Sequence, residues 1–595
     1  MIPHDMMAPL MFGGLVLFML IGYPVAFSLA AVGLSFGFIA IREGFFDFSL
    51  MQALPERVFA IMANDTLLAI PFFTLMGAIL ERCGLAEDLL DGLGQLFGPV
   101  RGGLGYAVIV VGAILGAITG TVAASVIAMG LISLPVMMRY GYDMKFATGV
   151  IAASGTITQL IPPSLVLIVL ADQLGRSVGD MYAGAWGPSL IQVVLFSLYV
   201  FGVSMVKPRW VPGIPPESRT ITGWPLVKRC LWGIVPSLVL IFLVLGTIFL
   251  GLATPTEGGA MGMVGAIVLA VLHRKEFSRR GKIAAWIALV AICAITLLAA
   301  TAWAEASMPA GLVAAASGFF ATARIPLFIV FYAGLAVLLW EAVVIGELRG
   351  LIDQASRMTM RITAMVIFIL IGSTIFTLVF RGVDGDLWIE HLLTSLPGGR
   401  IGFLVFVNVF VFFLAFFLDF FEIAFIIVPL LAPVAAKLGI DLIWFGVLLC
   451  VNMQTSFMHP PFGFALFYLR GIAPREVKSA DIYWGAIPWV VLQLIMVCIV
   501  IAWPGLVTAL LDKGTGVDPA TIEIQLPQSD YGAEGNAAGD AAAAADAPYG
   551  KEEERAADAQ KAGKRSEEQS SSDLEKAFGQ PRADEPPTRK RQTPP

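Results

Sequence analysis

Two Pro-Pro pairs, Pro162-Pro163 and Pro460-Pro461, interrupt long apolar stretches at 144–170 and 442–469. Proline has no N–H and its ring clashes with the preceding turn, so each pair releases backbone carbonyls that a continuous helix would occupy. Such oxygens can take a cation that has shed its water. In the first stretch they belong to residues 155–161 and face the hydroxyls of Thr119, Thr121 and Ser125. In the second they belong to residues 452–459 and face Asp419 and Glu422. Neutral carbonyl and hydroxyl oxygens suit Na⁺, whereas a proton carrier needs a titratable side chain. Asp419, Glu422 and His459 are titratable, and ionisable groups at membrane depth cost roughly 2.5–3.5 kcal/mol and tend to be functional. Proton coupling through them is the alternative to sodium, with His459 as a core imidazole the plainer reading.

Composition fixes the solvent these elements need. With 58% apolar and 14% charged residues and a mean hydropathy of +0.83, the chain requires a lipid bilayer around an all-α, polytopic fold. The N-terminus lacks a basic region and a small-residue cleavage site before its first apolar run, so that run is expected to stay as a membrane helix. The five cysteines show no paired or metal-type spacing, and no cofactor or transition metal is expected. A net charge of −6 sits mainly in loops and tail and points to no nucleic acid. A membrane-embedded enzyme built on Asp419, Glu422 and His459 is disfavoured by the absence of His-Glu-x-x-His and by four scattered histidines: His4, His273, His391 and His459. A purely structural membrane partner would have no use for two matched helix breaks.

The breaks belong to a repeat. Gly-Tyr-Asp at 141–143 recurs as Gly-Ile-Asp at 439–441, and both this motif and Pro-Pro recur after 298 residues (439 − 141 and 460 − 162). Each broken helix follows an apolar stretch interrupted at its middle, residues 116–125 and 414–422, which fits a re-entrant hairpin. The division that follows is a first repeat over 1–206, with a hairpin at about 105–138 and a broken helix at about 143–170. Cytoplasmic loops and the start of the second repeat occupy 207–283. An inserted transmembrane pair at 284–350, with Glu305 and Arg324 in its connecting loop, precedes the rest of the second repeat at 351–511, with a hairpin at about 401–434 and a broken helix at about 442–469. A disordered tail fills 512–595. The basic loops at 207–229 and 274–282 should be cytoplasmic. Counting spans outward from them places residues 139–145 inside and 437–441 outside, inverts the two halves, and puts both termini on the periplasmic side.

Residues 68–77 (Leu-Ala-Ile-Pro-Phe-Phe-Thr-Leu-Met-Gly), Leu160-Ile-Pro-Pro-Ser164, Ala253-Thr-Pro-Thr-Glu257, Gly439-Ile-Asp441 and Pro460-Pro-Phe-Gly463 resemble, in order, the recurrent motifs of the large membrane subunit of tripartite ATP-independent periplasmic (TRAP) transporters. The resemblance covers nearly all of residues 1–510 and, by length, is to the family's long subgroup. It implies an elevator-type, sodium-driven secondary transporter of a small organic acid. Its partners would be a periplasmic substrate-binding protein and a small membrane subunit of four helices. By resemblance, one sodium site maps onto Thr119, Gly120, Thr121, Thr158, Ile161 and Pro163, and the other onto Ala415, Asp419, Ser456, His459 and Pro460. Ser125, Thr156, Asn452 and Glu422 are the candidates for touching substrate. Ala415 and Ser456 stand where the family commonly has glycine, and His459 where it commonly has threonine. A carboxylate transporter that binds its substrate without a binding protein is the nearest competitor.

Overall fold

The computed structural model describes residues 3–215, 217, 223–273, 279–291, 326, 328–337, 339, 340 and 348–511, without the side chains of 4, 5, 20, 118 and 119. Glu305 and Arg324 of the insertion and the tail at 512–595 lie outside the described residues. Among the described residues the secondary structure is entirely helical. Among the described residues eight helices are long and apolar enough to cross a membrane, or ten if two bent pairs each count as one span. The protein is an all-α, multi-pass membrane protein.

Turn chemistry sets the helix ends. His4–Ile21 and Val25–Glu43 are divided at Gly22-Tyr-Pro24, where Gly22 adopts φ +89°. Trp224–Phe249 and Pro255–His273 are divided just before Pro255, with Glu257 accepting from the backbone and hydroxyl of Thr254. The two broken helices start alike. Asp143 caps Met144–Thr156 by accepting from Lys145 and Phe146 N–H, and Asp441 caps Leu442–Met458 by accepting from Trp444 N–H. These are the aspartates of the repeated Gly-x-Asp motif, and the glycine two residues earlier has positive φ in both copies, +73° at Gly141 and +67° at Gly439.

The order of elements recurs. Asp65–Arg82, Leu85–Phe97, a hairpin of Gly103–Thr119 and Val122–Arg139, a helix broken between Thr156 and Leu165, and Val178–Val206 form one series. Arg349–Gly382, Gly385–Thr394, a hairpin of Gly399–Leu414 and Phe420–Lys437, a helix broken between Met458 and Phe464, and Ser479–Ala502 form the other. The outer helices are exchanged between the series. Val25–Glu43 packs along Arg349–Gly382, whereas Pro255–His273 packs along Asp65–Arg82. Gly33 and Gly37 permit the first contact, since a Cβ at Gly33 would lie 3.0 Å from Phe376 N and one at Gly37 3.1 Å from Val379 Cγ2. Gly33-Leu-Ser-Phe-Gly37 thus fits the Gly-x-Ser-x-Gly pattern of hydrolases by spacing alone, in the middle of a helix with no strand-to-helix elbow.

Candidate functional site: two hairpin tips against two broken helices

The first tip is closed by Gly120 at φ +64°, where a β-carbon would also crowd Leu165 Cγ at 3.1 Å. Thr121 enters the second arm in an extended conformation, and its Oγ1 is buried without a hydrogen-bond partner among the described residues. Across the gap, Thr158 Oγ1 donates to Gly155 O at 2.7 Å and lies 3.0 Å from Ser125 Oγ. Thr158 and Ser125 are fully buried, and Ile161 is nearly so. The structure therefore brings Gly120, Thr121, Ser125, Thr158 and Ile161 to one tip and one break, while the side chain of Thr119 is outside the described set.

Not every carbonyl released by the break stays open, which corrects the expectation drawn from Pro162-Pro163. Ser164 Oγ donates to Gln159 O at 2.6 Å, Cys450 Sγ lies 3.2 Å from the same oxygen, and Ser189 Oγ donates to Leu160 O at 3.0 Å. Hydroxyls of the neighbouring elements replace the lost N–H donors there. Thr156 points away from the tip, accepting from Gln493 Nε2 at 3.1 Å and lying 3.3 Å from Met458 Sδ.

The second tip uses equivalent positions differently. In the first half Gly112 and Gly116 of the leading arm sit against Ser154 and Thr158, and an added Cβ at Gly116 would lie 2.9 Å from Thr158 Cα. In the second half the corresponding pairs are Asn408 with Asn452 and Phe412 with Ser456. Here the side chains bond backbone: Asn452 Nδ2 donates to Asn408 O at 2.8 Å and Ser456 Oγ donates to Phe412 O at 3.1 Å. Asn452 and Ser456 thus spend these donors on the leading arm, where the sequence reading had them opposite Asp419 and Glu422.

Those two carboxylates cap the second arm. Asp419 accepts from Phe420 N–H at 2.7 Å and Glu422 accepts from Asp419 N–H at 2.9 Å, a reciprocal capping box. His459 stacks on Phe416 (centroids 4.9 Å) and meets the edge of Phe412 (5.3 Å), with Nδ1 buried and without a hydrogen-bond partner among the described residues. Ala415 is fully buried at the tip, and Pro460 opens the segment to Phe464.

A further polar group lies where the broken helices meet. Gln159, Gln192 and Gln454 are at most 1% exposed. Both amide atoms of Gln192 and Gln454, and Oε1 of Gln159, have no partner among the described residues. The contacts Cys450 to Gln159 and Ser189 to Leu160 place all three within about one helical turn of the first break. An unpaired buried amide costs roughly 1–3 kcal/mol, so uncharged donors and acceptors are concentrated there beyond what folding requires. Sequence reasoning overlooked them, though a signal exists. Asp180-x-Tyr-x-Gly-Ala with Gln192 recurs as Asp481-x-Tyr-x-Gly-Ala with Gln493, each residue shifted by 301 (481 − 180, 493 − 192). Among the described residues no cluster of His, Cys, Asp and Glu could hold a transition metal.

Two helical hairpins packed against two broken helices in a multi-pass α-helical protein fit a secondary transporter. The chain belongs to the DctM component family of tripartite ATP-independent periplasmic transporters, whose profile matches residues 12–316 and 299–506. It is 27% identical over 461 residues to the C4-dicarboxylate TRAP transporter large permease protein DctM of Pseudomonas aeruginosa, covering 77% of this chain and 89% of that one. Similarity extends to the sialic acid TRAP transporter large permease protein SiaM of Vibrio cholerae (25% over 484 residues, 81% and 93% of the chains). It extends also to the isethionate TRAP transporter permease protein DctMQ of Oleidesulfovibrio alaskensis (24% over 471 residues, 79% and 61%).

Proposed function

We propose that this chain is the translocating subunit of a sodium-driven importer of a small organic acid. It takes substrate from a periplasmic binding protein and works in the inner membrane beside a small four-helix subunit. The observation that carries sodium is the first tip, where Thr121, Ser125 and Thr158 offer uncharged oxygens against a helix break. The proton reading is weakened because Asp419 and Glu422 already serve as helix caps. Relatives named for C4-dicarboxylate, sialic acid and isethionate support an anionic substrate.

Two tips imply more than one sodium ion per substrate. Moving one charge across ~100 mV is worth about 2.3 kcal/mol, so two or three Na⁺ with a monoanion make uptake electrogenic. Proteoliposomes holding this chain, the small subunit and the binding protein should accumulate substrate only with an inward sodium gradient, faster when the interior is negative. Uptake driven by a proton gradient without sodium, and lost in Asp419→Asn, would replace this mechanism with the proton path.

The hairpins and broken helices would move as the carrier body of an elevator, with the exchanged outer helices as its frame. With the basic loops at 207–229 and 274–282 in the cytoplasm, counting spans outward puts both termini on the periplasmic side and inverts the two halves. Reporter fusions after Leu511 should read periplasmic, and a cytoplasmic reading would remove the inversion.

A further inference from the structure

An apolar groove of about 420 Å³ lies outside the two tips, between Trp224–Phe249, Pro255–His273 and the helical residues 279–291. Its walls include Leu231, Val235, Leu240 and Leu269, with Trp232 and Trp286 facing each other across 6.4 Å. The three helices bring their 224, 273 and 279 ends to one side, so the groove has a charged end and an apolar end. At the charged end Asp88 and Asp91 are taken up by Arg229, and His273 Nε2 lies 2.9 Å from Asp88. Lys228 lines the groove, is exposed, and has no hydrogen-bond or ion-pair partner among the described residues.

The length of the groove selects its occupant. From Lys228 to Leu243 the lining covers 16 residues of one helix, roughly 22 Å. One leaflet measures about 20–22 Å from midplane to the outer edge of its headgroups, whereas a spanning helix needs the full ~30 Å of hydrocarbon. Tryptophans near one end and a cation beyond them match the interfacial layer. A lipid with one charged end fits this groove, and a transmembrane segment would overrun it.

We propose that the groove binds one phospholipid with an anionic headgroup, its phosphate on Lys228 and its acyl chains along Leu231, Val235, Leu240 and Leu269, beside the Trp232–Trp286 pair. Trp286 belongs to the region expected to be an insertion, so that region would complete a lipid seat.

The test is native mass spectrometry of the full-length chain in detergent after exposure to dioleoylphosphatidylglycerol or dioleoylphosphatidylcholine. The expected result is selective retention of one phosphatidylglycerol per chain. Lys228→Glu, an exposed change that leaves the apolar packing alone, should lower that retention roughly 30-fold by reversing one charge near the headgroup. Val235→Trp should block the groove with Lys228 intact and abolish retention. Equal retention of both lipids, or no effect of Lys228→Glu, overturns headgroup recognition. Retention unaffected by Val235→Trp places the lipid elsewhere and overturns the groove. Efficient cross-linking of the small subunit to the Trp232→Cys variant would make the groove a protein interface and overturn the proposal outright.

Discussion

Gly116→Val and Gly155→Val are each expected to reduce substrate uptake to about a hundredth of wild type or less, while the protein still inserts and purifies as a single species. At Gly116 an added Cβ lies 2.9 Å from Thr158 Cα, and at Gly155 it lies 3.0 Å from both Val126 Cα and N. Carbon atoms rest at about 3.5–4.0 Å; at Gly155 the side-chain Cγ2 of Val126 is met first and can rotate, but the backbone atoms behind it, like Thr158 Cα at Gly116, cannot. The hairpin must lift from the broken helix, which separates Thr158 from Ser125 and opens the first tip. Gly471→Ala is the control, because nothing lies within 4 Å of a β-carbon there. Should both valine variants transport within about threefold of wild type, close approach of hairpin and break would have no part in transport.

Thr158→Val is expected to raise the sodium concentration for half-maximal uptake by about 30- to 150-fold, the equivalent of losing 2–3 kcal/mol at a charged ligand. Ser456→Ala, at the corresponding position of the second half, should cost only about fivefold. The difference follows from partners. Thr158 Oγ1 donates within its own helix, to Gly155 O, and lies beside a second hydroxyl at the tip, whereas Ser456 Oγ donates across to Phe412 O of the leading arm. Thr158→Ser should recover most of the lost affinity, because it keeps the oxygen and removes only a methyl. Flux assays over a sodium titration decide the matter. Equal shifts in the two variants would mean that both hydroxyls are ligands and that the Ser456 bond to Phe412 opens in the working cycle.

What the sequence disclosed was local and periodic. Pro-Pro marks a break because proline cannot complete a helix, Gly-x-Asp marks a helix start because aspartate caps it, and both signals recur at one spacing. The all-helical fold in membrane and the family follow from such marks. Partner choice did not. Asp419 and Glu422 could have faced the broken helix or capped their own arm, and only the backbone direction at the tip decides between them. The oxygens of Gln159 and Leu160 were released as expected but recaptured by Ser164, Cys450 and Ser189, residues as far as 291 positions away in the chain. The glutamines at 159 and 454 gave no periodic signal of their own. Their shared feature, burial without partners, exists only after packing. The second repeated motif, carrying Gln192 and Gln493, was readable and simply shorter and more degenerate than Pro-Pro.

The exchanged outer helices also set the order in which the chain can be completed. Val25–Glu43 emerges from the ribosome early, yet the helix it packs along begins at Arg349, 306 residues later (349 − 43). At about 5–20 residues per second this helix waits roughly 15–60 s for its partner. Asp65–Arg82 waits likewise for Pro255–His273. Neither half can therefore reach its final form while the other is unmade, and the nascent first half must be sheltered by lipid or insertion machinery in the interval. Biogenesis of this protein is a closing step made once, near the end of translation, and a chain truncated in its second half would leave uncovered apolar faces in its first.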